Sequence, residues 1–406
     1  MTAAWDMLTA LRSSRYAEIP ATSVVADLRD VRLALFADTW SPQVNGVART
    51  LERLRTALES RGGAVQVFAP EDPNATPQAH VSRAPSRPFW AYPQLRLAWP
   101  RQRQIAAELR RFAPTLAHVA TEFGVGLAGR RAAHAMNVPM VSSYHTNFTA
   151  YAAHYRLGLL SAPGWHYLRW FHSAAQRTYC PTHAVANDLS THGFERCAVW
   201  SRGVDPSRFH PGFRSAGLRA QLGASDDTLL VAWVGRLGSE KGLAEALDAV
   251  RIAHSALKER IRLVVVGDGP HEAMLRDRAP SCVHFTGRLE GAALSAVYAS
   301  ADVFLFSSVT DTFGNVVLEA MSSGLPVLGV DVGPTRELVN PDRGWLVPPR
   351  DVDAMAGWLV RLANDRMTLQ RARSAALSFA ATCTWDRVWD RLFADYASFA
   401  RRRVLG

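Results

Sequence analysis

Thr310-Asp311-Thr312-Phe313-Gly314-Asn315-Val316-Val317-Leu318-Glu319-Ala320-Met321 is the stretch on which the reading of this chain turns. Before it, Val303-Phe304-Leu305-Phe306 is an unbroken apolar run, the pattern of a buried strand. Residues 316–321 carry apolar periodicity that predicts a short helix, stopped at Gly324, and Pro326-Val327-Leu328-Gly329-Val330 reads as the next strand. The order is strand, loop with Phe-Gly at its tip, helix, strand. A helix start leaves backbone N–H groups unpartnered and partially positive, which suits a phosphate. Asp311 and Glu319 bracket that start and could accept hydroxyls on either side of it. Two readings stay open from this stretch alone: a nucleotide-sugar site, and an ordinary βαβ unit with a tight turn.

Working toward the N-terminus, the same grammar repeats. Leu229-Leu230-Val231-Ala232-Trp233-Val234 is a strand that runs into Gly235-Arg236-Leu237-Gly238-Ser239-Glu240-Lys241-Gly242, and a helix follows over 243–258. Residues 261–266 form a strand into Gly267-Asp268-Gly269-Pro270, and residues 283–285 one into Thr286-Gly287-Arg288-Leu289. The Gly-rich loop holds Arg236 beside Lys241, one of only two lysines in the chain. A planar guanidinium and a compact ammonium on a backbone freed by glycines can neutralise a diphosphate. The competing reading is a solvated loop with two cations.

The first half opens in the same way. Residues 31–36 read as a strand, followed by Ala37-Asp38-Thr39-Trp40-Ser41-Pro42-Gln43-Val44-Asn45-Gly46, a helix over 47–59 and a strand over 65–68. Further strands are expected at 116–119 and 138–143, with a helix over 126–136 between them after Thr121-Glu122-Phe123-Gly124. The second of these strands ends in Tyr144-His145-Thr146-Asn147-Phe148. Two doubly wound α/β halves in tandem are therefore expected, with ligands at the carboxyl ends of the strands. That position makes His145 a functional candidate, and Asn45-Gly46 a place where backbone can approach a ligand. The first turn lacks Gly-x-Gly-x-x-Gly, so a dehydrogenase loses its main support.

Composition narrows the partners. Arginine outnumbers lysine 44 to 2, and residues 1–200 hold 21 arginines, no lysine and 13 acids. This basic half suits an anionic ligand or membrane surface, or is compositional bias. No recognition motif accompanies the charge, so nucleic acid is not expected as a partner. Residues 93–112 interleave Arg96, Arg101, Arg103, Arg110 and Arg111 with Leu95, Leu97, Trp99, Ile105 and Leu109, a basic amphipathic candidate for a membrane interface or a core helix with a solvated face. The four cysteines form no ligand spacing or disulfide framework, and the His-rich run over 151–177 has no convincing metal spacing. That run is expected as helix along one side of a cleft. Without a spanning run or signal-peptide core, a cytoplasmic location is expected, with peripheral attachment to the inner face of the membrane as a variant.

Taken together, Gly235-Arg236-Leu237, Glu240-Lys241-Gly242, Val266-Gly267-Asp268-Gly269-Pro270, Phe285-Thr286-Gly287, Asp311-Thr312-Phe313-Gly314, Leu318-Glu319-Ala320-Met321 and Gly324-Leu325-Pro326-Val327 resemble the motif set of family 4 of the retaining glycosyltransferases. Residues 42–49 and 144–147 are similar to that family's first-domain signatures. The resemblance covers residues 31 to the C-terminus. It is nearest to bacterial GDP-mannose-dependent α-mannosyltransferases acting on lipid acceptors, with UDP-sugar glycolipid enzymes also similar.

The resemblance implies a GT-B fold, two doubly wound Rossmann-like domains facing across a cleft. Its domains would be an N-terminal extension (1–30), an acceptor-side domain (31–202), a donor domain (203–384) and a helix crossing back (385–406). Arg236, Lys241, His145 and Asp311 would form the catalytic set. Gly46, Gly235, Gly287, Arg288, Phe313, Gly314, Asn315 and Glu319 would complete the donor site, with Glu319 on the ribose hydroxyls, Gly287 and Arg288 near the base, and Gly46 and His145 near the phosphate and sugar. Asp311 departs from the family, which usually has Glu there; the shorter side chain requires the hexose to sit closer or at another angle. No cofactor or metal is implied. The partners would be a nucleotide sugar and a lipid or glycan acceptor, and the expected reaction is front-face transfer of a hexose, mannose from GDP-mannose in the first instance. A UDP-sugar glycolipid synthase remains the alternative within the family. Outside it stand a phosphorylase or epimerase, for which only Lys258 is left as a Schiff-base lysine, and a non-catalytic sugar-nucleotide binder.

Overall fold

The computed structural model describes residues 28–43, 45–89, 92–145 and 161–404. Residues 1–27 of the N-terminal extension, Val44 of the first loop, Thr146, Asn147 and Phe148, and residues 151–160 of the His-rich run lie outside the described residues. The chain divides into two units: residues up to 201 together with those from 386 onward, and residues 202–385.

In the first unit, β1 (Arg32–Phe36), β2 (Ala64–Pro70) and β3 (Val81–Ala84) lead to an antiparallel hairpin of β4 (Ser86–Phe89) and β5 (Tyr92–Ala98). Then come β6 (Leu116–Val119), β7 (Met140–Ser143), β8 (Arg177–Cys180) and β9 (Cys197–Val199). All but the hairpin form a seven-stranded sheet in the order β3-β2-β1-β6-β7-β8-β9, parallel throughout. Parallel strands need crossovers, and α1 (Gly46–Glu59), α2 (Gln102–Phe112), α3 (Gly124–Ala135), α4 (Ser161–Ser173) and α5 (His183–Thr191) supply them, except between β2 and β3, which a helix-free segment joins.

The second unit opens with α6 (Ala216–Gln221) and alternates β10 (Leu229–Val234), α7 (Leu243–Leu257), β11 (Ile261–Val266), α8 (Glu272–Arg278), β12 (Val283–Gly287), α9 (Gly291–Ser300), β13 (Val303–Phe306), α10 (Asn315–Ser322), β14 (Val327–Val330), α11 (Gly333–Leu338) and β15 (Gly344–Val347). Its six strands run in the order β12-β11-β10-β13-β14-β15, the doubly wound order that reverses between the first and fourth strand. Along β10, Leu229, Val231 and Trp233 enter one hydrophobic cluster, while Leu230 and Ala232 enter another. Both faces are covered, so the strand reads as a continuous apolar run rather than an alternation. Helices α12 (Val352–Asn364) and α13 (Arg366–Thr382) close this unit, and α14 (Trp385–Val404) returns the chain to the first.

Two expectations are corrected. The basic segment 93–112 is not one amphipathic helix: it is strand β5, a turn and helix α2. That helix already commits its apolar face, Ile105 and Leu109, to the core of the first unit, leaving Arg101, Arg103, Arg110 and Arg111 in solvent. The sequence from Val199 to Pro211 reads as an interdomain connection, but the connection begins one residue later, because Val199 ends the edge strand β9, paired with Cys180. Among the described residues no helix is long and apolar enough to cross a membrane.

Candidate active site

In a doubly wound sheet the loops that leave the two strands flanking the order reversal splay apart and open a crevice. In the second unit those loops follow β10 and β13, and they contain Arg236, Lys241, Asp311, Phe313, Gly314 and Asn315. The structure brings the key pair into contact: Lys241 Nζ lies 2.6 Å from Asp311 Oδ1. The backbone is tied as well. Trp233 Nε1 donates to Ser307 Oγ at 3.1 Å, and Ser307 Oγ donates to the Lys241 carbonyl at 3.0 Å. Gly242, at φ 67°, lies so close to the neighbouring loop that a Cβ would stand 2.4 Å from the Ser307 carbonyl oxygen. Only glycine permits that approach. Arg236 is held from behind, its guanidinium 3.9 Å from Glu240 Oε1, and Glu240 itself is buried.

Helix α10 starts in the same crevice. Gly314 takes the N-cap position with φ 88°, so no side chain covers the first N–H groups of the helix. Phe313 turns its ring into the core beside Phe306 and Val317, which leaves its backbone, not its ring, available at the loop. The Oδ1 of Asn315 is buried without a hydrogen-bond partner. One turn further along the same helix face, Glu319 accepts a hydrogen bond from Tyr298 Oη at 3.1 Å. Burial by itself raises the Asp311 carboxyl, but the adjacent Lys241 ammonium more than offsets this and holds it below the ordinary carboxylate range. Gly287 ends β12, two strands from β10, and its carbonyl accepts the Gly267 N–H at 2.9 Å. Arg288 is exposed and directed to Glu290 at 2.7 Å, so it is not gathered with the other donor-site candidates.

The first unit treats its own crevice differently. There the flanking strands are β1 and β6, and Asp38 in the loop after β1 fills the position. Its carboxylate accepts the N–H groups of Val125 at 2.7 Å, Phe123 at 3.1 Å and Gly126 at 3.3 Å, and the Thr121 hydroxyl at 2.7 Å. The start of α3 thus carries an anion supplied by the chain itself. Gly46 opens α1, whose N-cap is Asn45 with its Oδ1 2.9 Å from the Ala48 N–H. His145 follows β7 and packs edge-on against Trp200, ring centres 5.5 Å apart. Reading by residue type found the cations and carboxylates of the second unit. It missed Glu240, Ser307, Tyr298 and Asp38, which act through burial and long-range contacts. Only a polar residue inside an apolar context could have signalled them.

The Glycosyltransferase Family 4 profile matches residues 44–208, and the Glycosyl transferases group 1 profile matches residues 228–365. A GDP-mannose-dependent alpha-mannosyltransferase of Mycolicibacterium smegmatis is 36% identical over 386 residues, covering 92% of this chain and 99% of the relative. The chain belongs to glycosyltransferase family 4. A sulfoquinovosyl transferase of Arabidopsis thaliana is 33% identical to this glycosyltransferase over 368 residues, 87% of this chain and 71% of the plant protein. Among solved structures, sucrose-phosphate synthase from Thermosynechococcus elongatus superposes with a TM-score of 0.73 at 20% identity, over 90% of this chain and 98% of that one. That likeness carries the GT-B fold, two doubly wound Rossmann-like units.

Proposed function

We propose that this glycosyltransferase moves mannose from GDP-mannose to a hydroxyl of a lipid or glycan acceptor with retention of configuration, and that the crevice of the second unit holds the donor. The observation that carries the placement is the contrast between the two crevices: the first is already occupied by Asp38, whereas the second offers an uncapped helix start beside Lys241 and Arg236. A diphosphate on those groups leaves the anomeric carbon near Asp311 and the ribose near Glu319. Departure of the nucleoside diphosphate builds charge on the phosphate oxygen, which Arg236, Lys241 and the N–H groups of Gly314 and Asn315 stabilise. The acceptor oxygen attacks on the face the phosphate leaves, and the departing oxygen takes its proton. On this reading the charge is carried by side chains and backbone, so turnover continues in EDTA.

Mannose is favoured because several relatives that match over more than nine-tenths of this chain are GDP-mannose-dependent alpha-mannosyltransferases. The sulfoquinovosyl relative keeps a UDP-sugar glycolipid synthase as the second reading. Thermal stabilisation and turnover with GDP-mannose, UDP-glucose and UDP-galactose separate the two. Stabilisation by GDP-mannose without transfer or hydrolysis would instead identify a non-catalytic binder. The arginines exposed on α2, together with Trp99 at 59% exposure, support electrostatic contact with an anionic membrane on which a lipid acceptor is presented.

A further inference from the structure

Tyr298 lies outside the loops that form the donor crevice, yet it touches one of the groups assigned to it. It sits on α9 with 0% exposure. Its ring is wedged edge-on against Phe209, centres 5.7 Å apart, and tilted against Phe304, also at 5.7 Å. A ring clamped on two sides has no freedom to swing, so its hydroxyl is a fixed point in the protein. That hydroxyl donates to Glu319 Oε2 at 3.1 Å. Burial, then the nearby negative charge of Glu319, push the phenol well above its ordinary pKa, so it stays a donor at every working pH.

A glutamate near a surface samples several rotamers, and ordering it on binding costs free energy. A carboxylate offers about four lone-pair directions. A hydrogen bond from a clamped phenol therefore helps to select the orientation in which the carboxylate meets its other donors. Two adjacent hydroxyls on a ring are the donor pair that such a carboxylate accepts best. We propose that Tyr298 is a positioning residue that holds Glu319 for the vicinal hydroxyls of the donor's ribose, and so sets how strongly the site prefers ribonucleotides over 2′-deoxyribonucleotides. The proposal rests on the reading of Glu319 as the ribose ligand.

The test is calorimetric binding of GDP, UDP and their 2′-deoxy counterparts to the wild type, Tyr298→Phe, Glu319→Gln and the double variant, with thermal melting to verify folding. The wild type prefers the ribo form. Tyr298→Phe lowers that preference by roughly tenfold, the scale of one hydrogen bond to a charged group. It raises the donor KM while leaving kcat within about twofold, as expected for lost ground-state binding. In the Glu319→Gln background the Phe substitution adds nothing further. An equal loss of affinity for ribo and deoxy forms would make Tyr298 merely structural and overturn the proposal. So would an intact preference in Tyr298→Phe alongside its collapse in Glu319→Gln. An intact preference in Glu319→Gln itself would instead remove the ribose reading of Glu319, and the positioning role with it.

Discussion

Lys241 Nζ and Asp311 Oδ1 are 2.6 Å apart, with side chains 20% and 25% exposed, across the line where the strand order of the second unit reverses. The pair ties the crevice's two loops to each other. It also sets up a competition, because a diphosphate needs the same ammonium. Asp311→Asn relieves that competition. Nucleoside diphosphate alone is then expected to bind several-fold tighter, while transfer slows because the carboxylate no longer meets the sugar. Calorimetry with GDP and UDP, beside steady-state rates, reads both effects; weaker binding of the diphosphate would mean the pair assembles the site rather than blocking it.

The pH behaviour of this pair has a definite sign. The folded carboxyl of Asp311 lies below its ordinary value of 3.8. Its stabilising contribution is present above that value and is lost only as pH falls through the depressed folded pKa. Stability profiles of wild type and Asp311→Asn should therefore run parallel across neutral pH and converge only in strong acid.

Removing either cation should act on the chemical step. Lys241→Ala and Arg236→Ala are expected to lower kcat by roughly 10²-fold or more, the scale of a lost oxyanion donor. Near-normal turnover in either variant would sink the assignment of the leaving-group site. Each variant also strands a carboxylate, Glu240 behind Arg236 and Asp311 beside Lys241, so a drop in melting temperature should accompany both.

Gly242→Ala probes the loop without touching charge. The φ of 67° and the 2.4 Å approach of a Cβ to the Ser307 carbonyl predict about 1–3 kcal/mol of local strain. Because the strain falls between Lys241 and Ser307, donor affinity should fall with stability. Urea melts and donor KM measured together would reveal a loop that relaxes, if stability drops and KM does not.

His118 predicts an acid sensitivity of the first unit. It is fully buried, with Tyr396 Oη at 2.5 Å on Nδ1 and Ser143 Oγ at 2.5 Å on Nε2. Burial pushes its pKa from 6.5 down to about 3. The unfolded chain takes up this proton below pH 6.5 and the folded one does not, so stability falls as pH drops between those values, by about 1.4 kcal/mol per unit once below the upper one. His118→Gln should flatten the slope of stability against pH over that range, whatever it does to stability at neutral pH.

Charge on α2 predicts a salt-dependent association. Vesicles containing anionic lipid should retain the protein at low ionic strength and release it as the Debye length shrinks. Replacing Arg101, Arg103, Arg110 and Arg111 with glutamine should abolish retention without altering transfer to a soluble acceptor. Retention that is insensitive to salt and to these substitutions would point elsewhere on the surface.

The doubly wound architecture was legible in the sequence, and so were Arg236, Lys241, Asp311 and Glu319 as candidates in the second unit. Runs such as 229–234, 261–266 and 303–306 coincide with strands because a parallel sheet covered on both faces has no alternation to blur. Gly235 to Gly242 is a local loop and Asp311 to Glu319 a loop running into the first turns of α10, so their chemistry is written in consecutive letters. Strands β3, β8, β9 and the β4–β5 hairpin were not legible, being short and at sheet edges or carrying polar residues such as Arg177 and Thr178. Tertiary structure alone decided that Lys241 meets Asp311, 70 residues away. It alone decided that Tyr298 reaches Glu319, that α2 spends its apolar face on the core, and that Asp38 fills one crevice while the other stays uncapped. Each is a contact between side chains on different elements, and such contacts follow from strand order and packing, which no single stretch of sequence contains.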